Sequence, residues 1–530
     1  MTPEDWIAHD PDPVTAAELA ALDHDELAAR FVQPLRFGTA GLRGPVRGGP
    51  DAMNLAVVSR ASWALGRVLT DRHLGGSTVV VGRDARHGSA QFAAAAAEIL
   101  AAQGFSVITW EQPVPTPVVA FAVRHTGAAA GVQITASHNP RTDNGYKVYL
   151  DGGLQIISPT DREIEEAMAG APPADQIARL PVQPADTALM DAYVARAATL
   201  RRTAGGKTRV ALTAMHGVGG ELAVRALHAA GFDDVHTVTS QFDPDPDFPT
   251  VSFPNPEEPG AADALLELAG RVDADIAIAL DPDADRCAVG IPTVDGWRML
   301  SGDETGWLLG DYILSILPPG QAAVSLVASS VVSSQLLGAI AAHHGARHVE
   351  TLTGFKWLAR ADSDLPGRHL VYAYEEAIGH CIDPAAVRDK DGISAAILAC
   401  DLVTQLGVQG DSIPVALDRL ALRHGVHTTA AVSRRATDNG EAAAMLTRLR
   451  TEPPPELAGF ALTATAHADA VFLRGGDGQT SVRVVVRPSG TEPKVKCYIE
   501  VGQAVSTDLA AARTRAAAVQ EQLVESVRTW

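Results

Sequence analysis

Three aspartates occupy alternate positions in residues 281–285, which read Asp-Pro-Asp-Ala-Asp. In an extended segment the side chains at i, i+2 and i+4 point to one side, so three carboxylates can converge on one divalent cation. Without a cation or an arginine among them, three such anions would repel one another strongly. An EF-hand fits poorly, because Arg286 and Pro292 stand where it requires Gly and Glu. We therefore predict a magnesium loop at Asp281, Asp283 and Asp285, with a solvated acidic turn as the alternative.

A serine that could carry a covalent group lies in residues 135–140, which read Thr-Ala-Ser-His-Asn-Pro. Ser137 follows an apolar segment and stands beside His138, which can carry a positive charge. A phosphate on this hydroxyl would supply another oxygen ligand for a metal. A Ser-His-Asp hydrolase is disfavoured, because adjacent residues of an extended chain point to opposite sides and the sequence lacks a Gly-x-Ser-x-Gly elbow. A turn hydroxyl is the alternative.

Residues 487–491, Arg-Pro-Ser-Gly-Thr, could bind a phosphate dianion. Arg487 offers a planar fork of donors, and the residues after it supply two hydroxyls and a glycine that lets backbone N–H groups approach an anion closely. A plain hairpin loop is the alternative. The candidate ligands are Arg487, Ser489, Gly490, Thr491 and Lys494.

A pair of glutamates, Glu375 and Glu376, could accept hydrogen bonds from sugar hydroxyls. The alternative is that both are simply solvated at the end of a strand. Several basic residues lie in loops that carry Gly or Asp, where they would form a cationic pocket inside an acidic protein. They are Arg43, Lys147, Arg286, Lys356, His380, Arg388 and Lys390.

A strand–helix–strand pattern that occurs three times along the chain would position these residues. Its first strands begin near residues 78, 209 and 323, and Gly104, Gly231 and Gly345 stand where the helices should end. Glycine tolerates the left-handed geometry of a helix C-cap. Buried strands that alternate with helices predict parallel βαβ units with right-handed crossovers.

Each copy continues to a third apolar strand that stops at a polar cluster. These strands are residues 130–134, 276–280 and 370–374, and the clusters after them hold the serine, the three aspartates and the two glutamates. In open α/β sheets, ligands bind beyond the carboxyl ends of strands. The three strand ends could therefore gather their loops in one shared cleft, whereas three ordinary polar turns are the alternative.

The chain from about residue 425 follows a different pattern. Apolar residues stand at alternate positions in two segments, as in a half-buried strand, namely Val482, Val484 and Val486, and Val495, Cys497, Ile499 and Val501. A long amphipathic helix is predicted over about 508–528. We predict three related α/β domains with mixed or parallel sheets and a smaller C-terminal α+β domain. Their expected boundaries are 1–200, 201–312, 313–424 and 425–530.

The composition limits the partners of this chain of 530 residues. With 63 acidic and 43 basic residues, the formal net charge is −20, which argues against nucleic-acid and anionic-membrane binding. The four cysteines are widely spaced, as is typical of a reducing compartment. The N-terminus does not have the pattern of a signal peptide, and no apolar run approaches the roughly 20 residues of a membrane span. We expect a cytoplasmic protein.

Together these motifs resemble the α-D-phosphohexomutase superfamily, which contains the phosphoglucomutases and phosphomannomutases. The segments that resemble its phosphoserine, magnesium, sugar-binding and phosphate loops are, in that order, residues 135–140, 281–286, 375–380 and 487–491. Residues 37–44 and 353–357 are similar to the branch of phosphoglucomutase-2-type and phosphopentomutase enzymes. The family fold has four domains around a central cleft, which agrees with the repeat.

The resemblance implies that phosphorylated Ser137 donates its phosphoryl group to a sugar monophosphate. The resulting bisphosphate then reorients and returns its other phosphate to the serine. The resemblance also implies Mg²⁺ on Ser137 and the three aspartates, and proton transfer or charge stabilisation by Arg43, His138 and Lys147. The implied substrate ligands are Arg286, Thr353, Gly354, Lys356, Glu375, Glu376, His380, Arg388 and Lys390, and the implied phosphate ligands are Arg487, Ser489, Gly490, Thr491 and Lys494.

The implied reaction interconverts glucose 1-phosphate and glucose 6-phosphate, with a sugar bisphosphate of the glucose 1,6-bisphosphate type as activator. Ribose or deoxyribose phosphates are the next alternative, and mannose phosphate the third. A metal-dependent sugar-phosphate phosphatase, which would release inorganic phosphate, is the alternative from another class. We expect a monomer or a homodimer.

Overall fold

Four β-sheets with their helices divide the protein into four domains around a central cleft. The computed structural model describes residues 1–38, 41–435, 439–467, 470–488 and 494–530. The predicted fold class, three related α/β domains followed by a smaller α+β domain, is confirmed.

The first domain has a mixed sheet between layers of helices. Its strands are β1 (Leu42–Pro45), β2 (Thr78–Arg83), β3 (Ser106–Thr109), β4 (Ala130–Ile134), β5 (Asp143–Leu150) and β6 (Leu154–Gln155). Its helices are α1 (Pro3–Ala8), α2 (Pro13–Ala20), α3 (His24–Val32), α4 (Leu55–Asp71), α5 (Ser89–Ala102), α6 (Thr116–Thr126) and α7 (Thr160–Ala169), and α8 (Ala188–Ala198) leads to the second domain. The strand order is β1-β5-β4-β2-β3, with β6 beside β5. Strands β2, β3 and β4 are parallel, as the βαβ pattern predicts. Strand β5 pairs antiparallel with β4, and β1 pairs antiparallel with β5.

The second domain repeats this plan with fewer strands. Its elements are β7 (Val210–Thr213), α9 (Gly220–Ala229), β8 (Val235–Thr237), α10 (Asp263–Val272), β9 (Ile276–Leu280), β10 (Cys287–Thr293) and β11 (Gly296–Met299). The strand order is β11-β10-β9-β7-β8, in which β7, β8 and β9 are parallel.

The third domain contains the third copy of the βαβ pattern. Its elements are α11 (Gly302–Ser315), β12 (Ser325–Ser330), α12 (Leu336–His344), β13 (Arg347–Thr351), α13 (Phe355–Leu358), β14 (His369–Glu375), β15 (Gly379–Cys381), α14 (Gly392–Val408) and α15 (Ile413–His424). The strand order is β13-β12-β14-β15. Strand β12 begins two residues later than the sequence predicts, because Ala322–Val324 forms a 3-10 turn.

The fourth domain is an antiparallel sheet with two helices. Its elements are β16 (Val426–Arg435), α16 (Asn439–Thr451), β17 (Glu456–Leu457), β18 (Phe460–His467), β19 (Ala470–Gly476), β20 (Thr480–Pro488), β21 (Lys494–Gln503) and α17 (Leu509–Arg528). The strand order is β16-β21-β20-β19-β18-β17. Val482, Val484 and Val486 are buried in the core of this domain, as predicted. The expected half-buried pattern is wrong for this strand, because Arg483 and Val485 between them are buried as well, so both faces of the strand are covered.

The three glycines that the sequence places at helix ends adopt the expected backbone. Gly104, Gly231 and Gly345 have φ values of 89°, 83° and 77°, in the left-handed region that a residue with a side chain rarely enters. Each glycine reverses the chain after its helix and starts it toward the next parallel strand. The repeat therefore lies in the backbone as well as in the sequence pattern.

A hydrophobic core runs without a break through the first three domains. It includes Val80 of β2, Tyr193 of α8, Leu212 of β7, Tyr372 of β14 and Ile397 of α14. Side chains in such a core are closely packed and hold their neighbours in one arrangement. The strands β9 and β14 belong to this core, whereas Ala130, Val132 and Ile134 of β4 belong to a separate cluster within the first domain.

The fourth domain is packed around a different core. Leu473, Val484, Ile499 and Leu523 belong to this second cluster, which is separate from the one that joins the first three domains. Domains that share little hydrophobic core can move relative to one another more readily than those that share much.

Within the described residues, no single helix combines the length and apolar character required to cross a membrane. The bent pair of Gly392–Val408 and Ile413–His424 meets the requirement by length and composition alone.

Candidate active site

Three loops at the carboxyl ends of β4, β9 and β14 meet where the first three domains face one another. Each loop holds a residue other than glycine in left-handed backbone, namely Ser137 (φ 54°), Ala284 (φ 54°) and Ile378 (φ 53°). Such backbone is uncommon for residues other than glycine and recurs at functional sites. The same uncommon backbone thus marks all three predicted loops.

The predicted nucleophile touches the predicted metal loop. The Ser137 hydroxyl donates a hydrogen bond to Asp281 Oδ2 over 2.7 Å, although the two residues come from different domains. Ser137 N in turn donates to Thr135 Oγ1 over 2.9 Å, which holds the tight turn of the serine loop. Ser137 is 1% exposed, so its hydroxyl is shielded from bulk water.

The three aspartates form a buried cluster of carboxylates. Asp281, Asp283 and Asp285 each offer an oxygen within 4.8 Å of the others, and all three residues are fully buried. The Oδ1 atoms of Asp283 and Asp285 have no hydrogen-bond partner within the described residues. Buried, unpartnered carboxylate oxygens are costly unless a cation binds them. Hard oxygen ligands of this kind fit Mg²⁺, so the residues agree with the predicted magnesium loop.

Two lysines from other domains reach the same carboxylates. Lys147 Nζ of β5 lies 2.7 Å from Asp283 Oδ2 and 2.8 Å from Asp285 Oδ2, and Lys390 Nζ lies 3.2 Å from Asp285 Oδ2. Burial disfavours the charge of Lys147, but the two carboxylates outweigh burial and raise its pKa. Burial and the charges of Asp283 and Asp285 also raise the pKa of Asp281 well above its ordinary value. Lys147 is therefore a fixed positive charge beside Ser137.

His138 is part of the serine loop, and Arg43 lies beside that loop. Arg43 Nη1 donates to the Asn139 side-chain oxygen over 3.3 Å. Burial, followed by the charges of Arg286 and Arg43, lowers the pKa of His138 well below that of a free imidazole. A neutral imidazole can accept a proton, whereas an arginine can only stabilise negative charge.

Arg286 joins the magnesium loop to the sugar loop. Its Nη1 donates to Ala377 O over 2.7 Å, and its Nη2 lies 3.5 Å from Glu375 Oε1. The backbone of Arg286 also pairs with that of Gly379 in an isolated antiparallel bridge. The loops of the second and third domains are therefore held together as one unit.

Glu376 is held by two serines of the loop that follows β12. Its Oε2 accepts hydrogen bonds from Ser330 Oγ over 3.0 Å and from Ser333 Oγ over 3.1 Å, and Glu376 N donates to Ser333 Oγ over 3.0 Å. Burial, together with the charge of Glu375, raises the pKa of Glu376 to about 7. The orientation of its carboxylate is therefore fixed by two neutral hydroxyls, those of Ser330 and Ser333.

The two segments that resemble the pentomutase branch come together in space. Lys356 Nζ, which follows Thr353 and Gly354 in the chain, donates to Gly38 O over 3.2 Å. Gly354 has a φ of 106° and begins the short helix α13 that carries Lys356. Burial lowers the pKa of Lys356. The structure thus brings Lys356 to the opening motif of the first domain.

Two of the predicted substrate ligands have partners away from the three loops. His380 is 0% exposed, its Nδ1 lies 3.0 Å from the Tyr372 hydroxyl, and burial lowers its pKa to about 3. Strand β15 turns this side chain toward the core, because alternate residues of a strand face opposite sides. Arg388 Nη1 lies 2.7 Å from Asp362 Oδ1 and also donates to Ala359 O. Contact of either residue with a substrate stays a prediction.

The fourth domain closes one side of the cleft. A cavity of about 600 Å³ between the second, third and fourth domains is lined by residues that include Glu257, Glu376 and Tyr498. Burial raises the pKa of the Tyr498 phenol, and the nearby charges of Glu376 and Arg487 act on it in opposite directions. Glu376 and Arg487 therefore both act on Tyr498, which lines this cavity. Lys494 begins β21, and the predicted phosphate ligands Ser489, Gly490 and Thr491 lie outside the described residues.

Sequence reasoning missed a buried arginine that holds the serine loop. Arg86 Nη2 donates to Ser137 O over 2.6 Å and to Asn139 O over 2.7 Å, and Nη1 donates to Pro140 O over 2.7 Å. Arg86 follows β2 in the order Asp84-x-Arg86, so the rule that ligands gather at strand ends could have found it.

A threonine that contacts the aspartate cluster was missed as well. Thr116 Oγ1 donates to Asp283 Oδ2 over 2.5 Å, and Thr116 N donates to Asp283 O over 2.9 Å. Thr116 begins α6 between two prolines, where the sequence carries no signal of a site. It is a partner of a candidate metal ligand, of the kind that fixes the orientation of that ligand.

Comparison with known families matches the four domains one by one. Residues 34–173, 191–294 and 301–418 match the phosphoglucomutase/phosphomannomutase alpha/beta/alpha domains I, II and III, and residues 446–517 match the C-terminal domain of that family.

Individual relatives span most of the chain. A protein of Haemophilus influenzae named "Probable phosphomannomutase" is 39% identical over 465 residues, which cover 84% of this chain and 93% of that protein. The phosphopentomutase of Mus musculus is 34% identical, covering 94% of this chain and 89% of the relative. A crystal structure of a phosphoglucomutase/phosphomannomutase family protein from Burkholderia thailandensis shares the fold, with a TM-score of 0.69 and 22% identity over 93% of this chain and 97% of that chain. The chain thus belongs to the phosphoglucomutase/phosphomannomutase family of the α-D-phosphohexomutase superfamily.

Proposed function

We propose that this protein is a sugar-phosphate mutase in which Ser137 carries the transferred phosphoryl group. The observation that carries the proposal is the 2.7 Å hydrogen bond from Ser137 Oγ to Asp281 Oδ2, inside a cluster of three buried carboxylates and a lysine. Phosphoryl transfer depends on positioning and charge neutralisation more than on covalent chemistry from the protein. The site supplies both.

Proton transfer beside Ser137 is assigned to His138. When a sugar hydroxyl attacks the seryl phosphate, the bond from phosphorus to Ser137 Oγ breaks, a bond to the sugar oxygen forms, and the hydroxyl proton must leave. The lowered pKa of His138 keeps its imidazole neutral, and its Nδ1 has no hydrogen-bond partner within the described residues, so it offers a nitrogen for that proton. The same lowered pKa makes this imidazole a weaker base than free histidine. Lys147, held positive by Asp283 and Asp285, stabilises the charge on the transferring group. Arg43 adds a second positive charge on the same side.

Asp281, Asp283, Asp285 and the Ser137 oxygen would hold Mg²⁺, which supplies neutralisation of the negative charge on the phosphoryl group. Side chains of the protein bind the sugar and the second phosphate. Glu375 and Glu376 accept hydrogen bonds from the sugar hydroxyls, and Arg487 binds the phosphate that is not reacting. Reorientation of the bound bisphosphate then presents its other phosphate to Ser137.

For the sugar we propose glucose, so that the enzyme moves phosphate between C1 and C6 with a glucose 1,6-bisphosphate type of activator. The family description, which covers phosphoglucomutases, supports this choice. Ribose or deoxyribose phosphate is the second candidate, because the chain is 34% identical to a phosphopentomutase over 94% of its length. Mannose phosphate is the third, supported by the Haemophilus influenzae relative.

We further propose a cytoplasmic monomer or homodimer. The four cysteines, all buried and free, fit a reducing compartment.

The test compares turnover of glucose, ribose and mannose 1-phosphates with Mg²⁺ and the matching bisphosphate. We expect isomerisation without release of inorganic phosphate, fastest with glucose. Steady phosphate release would assign a phosphatase instead, and faster turnover of ribose 1-phosphate would assign a phosphopentomutase.

Ser137→Ala tests the nucleophile. We expect this variant to fold, to lose turnover, and to lose the mass of one phosphoryl group that the wild-type protein carries after purification from cells. Ser106→Ala, at an exposed serine of the same domain, is the matched control and should keep both activity and phosphate. Full activity of Ser137→Ala would overturn the assignment.

A further inference from the structure

The fourth domain contacts the third at residues 330–335, which run from the last residue of β12 to the start of α12 and which we name the β12–α12 loop. Glu500 Oε1 of β21 accepts hydrogen bonds from Ser334 Oγ over 2.6 Å and from Gln335 N over 2.9 Å. Arg483 Nη1 of β20 donates to Ser333 O over 3.0 Å. Glu500 and Arg483 are 6% and 5% exposed, so these contacts are shielded from water. A carboxylate at the N-terminus of helix α12 is also favoured by the helix dipole.

The same loop is the one that aims Glu376. Ser330 Oγ and Ser333 Oγ both donate to Glu376 Oε2, over 3.0 and 3.1 Å. Ser333 is thus bonded through its side chain to Glu376 and through its carbonyl to Arg483 of the fourth domain. A displacement of the fourth domain would pull on the residues that hold Glu376.

We propose that Glu500 is a positioning residue for substrate binding, which acts on the sugar through the β12–α12 loop and Glu376. This inference rests on the proposed function, because it assumes that Glu376 binds the sugar. Glu500 touches no reacting atom. Its effect is to keep the two serine hydroxyls where they orient the Glu376 carboxylate.

The strands of the fourth domain connect this contact to the predicted phosphate site. In the register of β20 and β21, Arg483 pairs with Glu500 and Arg487 pairs with Lys496. Arg483 and Arg487 are four residues apart on one strand, so they share a face of the sheet. Val332 of the β12–α12 loop also packs with Ala470, Phe472 and Val485 of the fourth domain in a small buried cluster. A displacement of these strands that moves Arg487 against a bound phosphate therefore also moves Arg483 and Glu500, which hold the β12–α12 loop.

The test measures KM and kcat for the sugar 1-phosphate with Glu500→Ala in the full-length protein. Since the contact serves binding, we expect KM to rise about tenfold with kcat retained, which corresponds to the loss of about one good hydrogen bond. Glu500→Gln keeps an oxygen that can accept from Ser334 and Gln335, so it should restore most of the affinity. A role limited to folding would lower the fraction of active enzyme, and hence kcat, without changing KM.

Asp418→Ala is the matched control. Asp418 of α15 pairs with Arg513 of α17 over 2.5 Å, an ion pair that also joins the third and fourth domains but does not touch the β12–α12 loop. We expect its KM to equal that of the wild type. An equal rise in KM for Asp418→Ala and Glu500→Ala would show that any loosening of this domain contact suffices, which would overturn the specific role of Glu500.

Ser333→Ala completes the test as half of a double-mutant cycle. If Glu500 acts through Ser333, the double variant should have the KM of Ser333→Ala alone, whereas independent effects would multiply to about a hundredfold and refute the relay. If Glu500→Ala does not fold, Ser334→Ala takes its place in the same cycle, because it removes the shortest hydrogen bond to Glu500 with less disturbance. A KM of Ser334→Ala equal to that of the wild type would count against the proposal. A wild-type protein that isomerises no sugar phosphate would defeat the proposed function itself, while normal KM in Glu500→Ala would defeat only the positioning role.

Discussion

Replacement of Arg86 by methionine should uncouple the serine loop from the rest of the first domain. Arg86 is 4% exposed, and its guanidinium group donates to the carbonyls of Ser137, Asn139, Pro140 and Asp143. Methionine has a similar length but no donor. The serine loop would keep its sequence and lose the group that holds its carbonyls in place.

Arg86→Met also breaks a buried ion pair, which determines how much stability is lost. Arg86 also lies 3.3 Å from Asp84, which is 1% exposed, so its removal leaves a buried carboxylate without its counter-charge. Breaking a buried pair in this way destabilises a protein by about 3–5 kcal/mol. Asp84 keeps its hydrogen bonds from Ser89 Oγ and from the backbone N–H of residue 86, which favours the lower end, about 3 kcal/mol. A shift of about 1 Å in Ser137 would lower turnover by about a hundredfold.

The assay combines thermal unfolding with the mutase rate, and the control is Arg60→Met. Arg60 of α4 also donates to backbone carbonyls of the first domain, those of Met168, Ala171 and Pro172, but it does not touch the serine loop. Arg60→Met should lower the melting temperature and leave kcat/KM unchanged. Arg86→Met with wild-type kcat/KM in its folded fraction would refute the role of Arg86, as would an equal loss of kcat/KM in both variants.

Three further outcomes are expected. Thr116→Val removes a donor to Asp283 without changing shape, so the Mg²⁺ concentration for half-maximal activity should rise about tenfold to a hundredfold, and an unchanged titration would contradict this role. Asp283→Asn removes one of the three carboxylates and a partner of Lys147, so most Mg²⁺-dependent turnover should be lost; wild-type activity at low Mg²⁺ would count against the metal loop. Since burial and the charge of Glu375 raise the pKa of Glu376 to about 7, its carboxylate forms only as the pH rises through 7, and kcat/KM should rise there. Glu376→Gln should lack that rise, so identical pH profiles for the two proteins would refute the assignment.

Local patterns were enough to predict the fold class and the three polar loops that meet at the candidate site. Buried parallel strands leave continuous apolar runs, and a polar cluster after such a run is conspicuous because turns seldom contain Ser-His or paired acidic residues. This reasoning located Ser137, the aspartates and the glutamates, and the structure places Ser137 Oγ 2.7 Å from Asp281 Oδ2. The glycines at the helix ends were predictable for the same reason, since their backbone excludes other residues.

Contacts between distant parts of the chain were not predictable in this way. Ser330 and Ser333 lie more than 40 residues before Glu376, and nothing in their own sequence shows that their hydroxyls face it. The orientation of His380 depends on whether Gly379–Cys381 forms a strand, which is decided by its pairing with β14. Arg388 likewise has a carboxylate partner, Asp362, that only the fold reveals.

The contacts that would perform the reaction are also the ones that join the first two domains. Ser137, Thr116 and Lys147 come from one domain, and the carboxylates that they bind come from the other. Any motion that separates the first domain from the second at these contacts also separates Ser137 from the three aspartates. Heat inactivation should therefore precede the loss of secondary structure.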